Sequence, residues 1–236
     1  MKEWLPLAFL SVLTIPACKQ DDDAPDGDEG PTASAAPSGA DAGPSQPAVN
    51  GKTYKWSFDD MAVGAPAQGF SSPLGTWSVA ADPAAPSAPN VFRQSGRFGD
   101  PDFPRAFVPA LEFSDLTVRV KCRPESGGID QACGLVFRLR DADNYYITRA
   151  NALEGNVRLY HVIEGSRVQF AGANANVTSA QWHTLEATVR GDSFTVSWDG
   201  APLFTASDRT FASGRVGVWT KADSVTAFDD LEVVAE

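Results

Sequence analysis

Arginines and a tyrosine at alternating positions are the residues of this sequence best placed to do chemistry. If Arg140 pairs with Tyr145 around an Asp141–Asn144 turn, then Arg138, Arg140, Tyr145, Ile147 and Arg149 fall on one sheet face. Leu135, Phe137, Leu139, Tyr146 and Thr148 fall on the other, a set suited to a core. Guanidinium forks hydrogen-bond hydroxyls or carboxylates, and a tyrosine ring stacks on a sugar, so a solvent-facing set of this kind points to saccharide binding. Asn151, Asn156, Arg158, Tyr160, Trp219 and Lys221 extend that surface. The bland alternative is a solvated face whose arginines pair with Asp115 and its neighbours.

Catalytic patterns are thinner. Glycoside hydrolysis normally needs two carboxyl groups converging on one bond. The nearest pair along one strand is Asp230 and Glu232, on the same face about 6.5–7 Å apart by strand rise. Acids on a terminal strand more often keep an edge soluble. The chain has two histidines, no Gly-x-Ser-x-Gly and no metal-spaced His/Cys cluster. His161 shares parity with Val157, Leu159 and Ile163 and reads as packed, and His183 beside Trp182 reads as structural. Adjoining terminal strands would bring Asp59 or Asp60 near Asp229 and Asp230, hard oxygen donors that would suit a structural calcium ion. No other cofactor is called for.

The elements that must hold these residues are strands. Tyr54, Trp56 and Phe58 alternate with polar neighbours, as do Leu185, Ala187 and Val189, and then Phe194, Val196 and Trp198. Glu164-Gly165 and Asp199-Gly200 are hairpin turns. About a dozen short strands at this spacing, with no 3.6-residue period beyond the first residues, predict an all-β, two-sheet antiparallel jelly-roll sandwich over residues 52–236.

Ahead of it, Trp4 to Ile15 is an apolar run with the length of a signal-peptide core, too short to span a bilayer. It ends in Ile15-Pro16-Ala17-Cys18, which resembles the lipobox of bacterial lipoproteins and implies export and lipidation at Cys18. The alternative is an ordinary signal peptide cut near Ala17. Residues 19–51 form an acidic Asp/Ala/Pro/Gly/Ser segment, expected to remain a disordered tether to the cell envelope. Beyond it lie 22 acids and 17 Lys/Arg, a balance that disfavours nucleic acid as a partner.

After export, Cys122 and Cys133 should form a disulfide. Setting them opposite each other on neighbouring antiparallel strands also places Leu116, Val118 and Val120 with Leu135, Phe137 and Leu139 on the cysteines' face. The other face would then pair Thr117 with Arg138 and Asp115 with Arg140.

Gly134-Leu135-Val136-Phe137-Arg138, Asn144-Tyr145-Tyr146, Arg149-Ala150-Asn151 and Trp182-His183-Thr184-Leu185 follow an order that resembles laminin-G/concanavalin-A-like jelly rolls. Asp199-Gly200, Gly214 to Trp219 and Phe228-Asp229-Asp230 continue it through roughly residues 53–235. The nearest resemblance is to bacterial 3-keto-disaccharide hydrolase-like domains. It implies glycan recognition on the concave sheet. The hydrolase-like members carry a His-Gly near the penultimate strand, where this chain reads Thr220-Lys221-Ala222-Asp223-Ser224. The expectation is therefore a lectin-like, envelope-anchored module. A hydrolase or lyase acting on 3-keto-disaccharides and a structural adhesion module are the alternatives.

Overall fold

A computed structural model describes residues 45–236, so the run read as a signal peptide, Cys18 and most of the segment read as a tether lie outside the described residues. In chain order the strands are β1 (Gln46–Pro47), β2 (Thr53–Trp56), β3 (Ser71–Leu74), β4 (Trp77–Ala81), β5 (Asn90–Gln94), β6 (Arg105–Phe107), β7 (Leu111–Glu112), β8 (Leu116–Ser126) and β9 (Ala132–Leu139). There follow β10 (Tyr145–Asn151), β11 (Asn156–Ile163), β12 (Ser166–Asn174), β13 (His183–Arg190), β14 (Ser193–Trp198), β15 (Ala201–Ser207), β16 (Arg215–Trp219) and β17 (Val225–Ala235). There is no helix among the described residues.

One sheet has seven strands in the order β12-β11-β10-β9-β16-β6-β3. The other has eight, ordered β15-β14-β13-β8-β17-β5-β4 with β2 also on β17. The protein is thus the two-sheet jelly roll the alternation predicted. In β8, for example, Leu116, Val118, Val120 and Cys122 are buried while the residues between them reach the surface. Glu164-Gly165 and Asp199-Gly200 each take two successive left-handed conformations, the turn whose twist matches a two-residue hairpin. The end of the segment read as tether is ordered: β1 pairs in parallel with β7, and Ala48 packs against the core.

The cysteine register differs from the sequence expectation. Cys122 on β8 faces His183 and Phe228 within the eight-stranded sheet, whereas Cys133 on β9 faces Ala150 in the other. The Cys122–Cys133 disulfide therefore ties sheet to sheet, with Cα atoms 6.2 Å apart. Leu116, Val118, Val120, Leu135 and Phe137 still line the interior between the sheets. Thr117 and Asp115 consequently lie opposite neither arginine: Thr117 pairs with Thr188 on β13.

Leu139 and Arg138 depart from the pattern because Arg138 adopts a left-handed backbone, φ 47°, at an irregularity where β9 meets β16. Arg138 is turned inward and buried. Its guanidinium donates to the carbonyls of Ser114, Phe211 and Gly191 at 2.9, 2.8 and 3.0 Å and lies 3.4 Å from Asp115. Leu139 moves to the outer face instead. The same irregularity offsets the expected pairing by two residues, so that Tyr146 faces Phe137.

The outer face of the seven-stranded sheet is a second apolar layer, not the wet surface expected. Val136, Tyr145, Ile147, Val162 and Trp219 are all buried there. Phe103, from the segment before β6, stacks on Trp219 with ring centroids 5.5 Å apart. Arg167 lies over both Phe103 and Tyr160, at 4.9 and 4.7 Å from their ring centroids.

Candidate functional site

At one end of that outer face the sheet carries a polar cluster. The register sets Arg149 opposite Arg158 and Asn151 opposite Asn156. All four share the face of Tyr145 and Tyr160, because alternation along β10 and β11 sends every second side chain outward. Gly134 sits between Arg149 and Trp219 on the neighbouring strands. A Cβ there would come 3.0 Å from the Trp219 ring and 3.2 Å from Arg149 Cβ, so the missing side chain lets both lie close to the sheet.

The tight β10–β11 turn adds Glu154, whose side chain is 44% exposed. Arg149 Nη2 donates to Glu154 Oε2 at 2.8 Å and to the Tyr160 hydroxyl at 2.9 Å, and Arg149 Nη1 reaches Asn156 Oδ1. Asn151 Nδ2 donates to two carboxylates at once: Asp130 Oδ1 at 2.9 Å and Glu154 Oε1 at 2.7 Å. Lys221 Nζ is 3.1 Å from Asp100 and 3.8 Å from Asp130.

The Thr220–Ser224 stretch anchors this cluster. Asp223 accepts from the backbone N–H groups of Gly128, Ile129 and Asp130 at 2.6, 3.0 and 3.0 Å, fixing the loop that presents Asp130. Burial opposes ionisation of Asp223, but these donors outweigh it and hold its pKa below the usual range. Burial dominates at Asp130 and pushes its pKa up to about 6, against the pull of Arg149 and Lys221. At Glu154 burial is again the largest influence, yet Arg149 and Asn156 together override it and lower the pKa. Two carboxyl groups sharing one amide donor are thus tuned in opposite directions.

Of the residues the sequence singled out, Arg149, Asn151, Asn156, Tyr160 and Lys221 gather in this cluster, with Arg158 beside it. Tyr145 and Trp219 occupy the same face as buried floor. Arg138 is excluded by its inward turn, and Arg140 is an exposed residue where β9 gives way to the Asp141–Asn144 turn. Asp130, Glu154, Asp100 and Asp223 were missed. Only Glu154 had a visible signal: a hairpin closing Asn151 on Asn156 must put it in the turn.

The four aspartates considered for calcium do not converge. Asp59 accepts from the Asn90 amide, Asp229 accepts from Ser87, and Asp230 pairs with Lys121 at 3.1 Å. Among the described residues no group of three or more His, Cys, Asp or Glu is placed to hold a metal. Asp230 lies within a β-bulge on the other sheet and Glu232 at its end, at a groove of about 580 Å³. Each is taken up by cations, Glu232 by Lys55 and Arg119. Both histidines are held as structural residues: His161 bonds Asp208 and stacks on Phe170, and His183 bridges Asp199 and Thr178 over Trp198.

No family model matches the sequence. No curated protein matches it either. Solved structures do share the fold. A carbohydrate-binding module, CBM66 from Bacillus subtilis, superposes with a TM-score of 0.59 at 20% identity, covering 70% of this chain and 94% of that one. The Crh5 transglycosylase in complex with NAG gives 0.52 at 14% identity, over 78% and 83% of the two chains. A Bacillus licheniformis β-glucanase gives 0.51 at 11%, over 79% and 99%. At these identities the likeness is one of architecture: the chain has the concanavalin-A-like jelly roll.

Proposed function

We propose that this domain binds carbohydrate over the Arg149–Glu154–Lys221 end of the seven-stranded sheet, and that it is presented from the bacterial envelope by a lipid on Cys18. The observation that carries the reading is the Arg149–Asn151–Glu154–Asn156 cluster. It sets hydrogen-bond donors beside acceptors on one sheet face, with the half-buried Phe103 ring at its side. Sugar hydroxyls both donate and accept, and sugar ring faces pack on aromatic rings, so a saccharide matches this mixture. The names borne by similar sandwiches, a carbohydrate-binding module and a transglycosylase seen with NAG, agree with it. The lipobox-like motif and a disulfide suited to an oxidising compartment support the location.

A second reading, glycoside cleavage, is favoured by one observation: Asp130 and Glu154 share Asn151 as donor. Their nearest oxygens are consequently closer than the ~6.5–9.5 Å of inverting carboxyl pairs, a spacing compatible with retention. In this reading Asp130 supplies the acid and Glu154 the ionised nucleophile.

One set of experiments separates the two. A glycan array followed by calorimetric titration should find a saccharide ligand whose affinity drops at least tenfold in Glu154→Gln and in Lys221→Ala, with melting temperatures unchanged. Failure to bind any glycan sinks the binding reading. Turnover of a 3-keto-glucoside that disappears in Asp130→Asn would replace it with the catalytic one.

A further inference from the structure

The outer face of the seven-stranded sheet holds more positive charge than its acids neutralise. Arg149 is matched by Glu154, and Lys221 by Asp100 and Asp130. Arg105, Arg158, Arg167 and Arg215 project from the same face, and among the described residues none has a carboxylate within 4.0 Å. They lie instead against rings or against the sheet itself. Arg105 covers Tyr145, Arg215 covers Phe107, and Arg158 rests over Gly172. In a domain with 22 acids and 17 Lys/Arg from residue 51 onward, four unmatched guanidinium groups on one face run against the overall sign.

Their hydrogen bonding is incomplete in the same sense. Arg149 Nε, Arg167 Nη1 and Arg215 Nε are buried N–H donors with no partner, and Arg149 as a whole is only 4% exposed. Buried donors are normally satisfied, so a cluster of orphans around one surface marks what the surface lacks. Here the lack is of acceptors and of negative charge.

We infer that the saccharide is an acidic one, whose carboxylate or sulfate groups are received by this arginine set, chiefly by the half-buried Arg158 and Arg167 on the neighbouring strands β11 and β12. The inference rests on the carbohydrate reading above and gives it a ligand class. Planar guanidinium groups pair two N–H bonds with the two oxygens of a carboxylate or sulfate, and those bonds are stronger than neutral ones. The half-buried Phe103 beside Arg167 supplies the apolar contact that a sugar ring needs and a free anion does not. The acids at the end of the strip, Asp100, Asp130 and Glu154, suit hydroxyl groups and would repel a continuous polyphosphate.

The test titrates purified full-length protein with polygalacturonate, dextran sulfate, dextran, laminarin and single-stranded DNA. Polygalacturonate or dextran sulfate should bind at least tenfold more tightly than the neutral glucans, and which of the two wins separates carboxylate from sulfate. The Arg158→Glu/Arg167→Glu pair should lose at least tenfold, and raising salt from about 50 to 500 mM should weaken the complex further. Arg158→Gln/Arg167→Gln, checked by its melting curve, guards against a folding defect. Neutral glucans bound best and unaffected by either pair overturn the inference but spare the carbohydrate reading. DNA bound as tightly as the acidic glycan also overturns it. No glycan bound at all removes the reading on which it rests.

Discussion

Asp130 carries the most informative electrostatics in the molecule. Its folded pKa of about 6 stands above the unfolded value of 3.8, chiefly because burial disfavours the anion. The folded state therefore holds this proton to higher pH than the unfolded chain does. The associated stability is fully present below pH 3.8 and is lost as pH rises to about 6, a change on the order of 1–3 kcal/mol. Asp130→Asn should be relatively more stable at pH 7 than at pH 4 when its melting temperature is referred to wild type, and a constant offset would contradict the assignment. Residues of this kind were hard to see in the sequence. Asp130 lies in a loop with no period to announce it, and its environment comes from Arg149, Lys221 and Asp223, which lie 19 or more positions away along the chain. Arg138 was misplaced for a related reason: a non-glycine residue in a left-handed bulge leaves no mark in an otherwise regular alternation.

Among the elements, strand existence and facing were legible because burial repeats every second residue. β11 runs from Asn156 to Ile163 as the alternation alone would draw it, and both Gly-containing hairpins close where expected. Sheet membership was not legible. A cysteine on β8 points inward whether its partner is on the adjacent strand or on the opposite sheet, so side-chain parity fits both arrangements equally. The arrangement adopted makes the disulfide a covalent tie between the two layers, beside the Thr226 hydroxyl that donates to the Ala132 carbonyl across them. With 11 residues separating the cysteines, the chain-entropy contribution is about 2–3 kcal/mol. The Cys122→Ser/Cys133→Ser variant should unfold at correspondingly lower denaturant while keeping its strand content. Equal midpoints for the two proteins would show that the non-covalent contacts alone join the sheets.

For the whole molecule, the acidic stretch after Cys18 and the arginine-bearing face of the sandwich pull in opposite electrostatic directions. Under the proposed anchoring, the Asp-rich sequence after Cys18 would carry charge of the same sign as an anionic membrane surface. The anchoring is directly testable: cells expressing the protein and fed a fatty-acid analogue should label it, and Cys18→Ala should abolish the label. An unlabelled wild-type protein would leave a secreted domain in place of an attached one.

Phe103 stacked on Trp219 has a further consequence for how a polymer could be held. With the middle of the sheet roofed by the chain's own ring, a long glycan has no open trough to lie along. Contact is confined to the β11–β12 side of the face, from the β10–β11 turn past Arg158 to Arg167, which admits a terminus or a short segment. Affinity should then saturate within a few sugar units, and lengthening the oligomer further should add almost nothing.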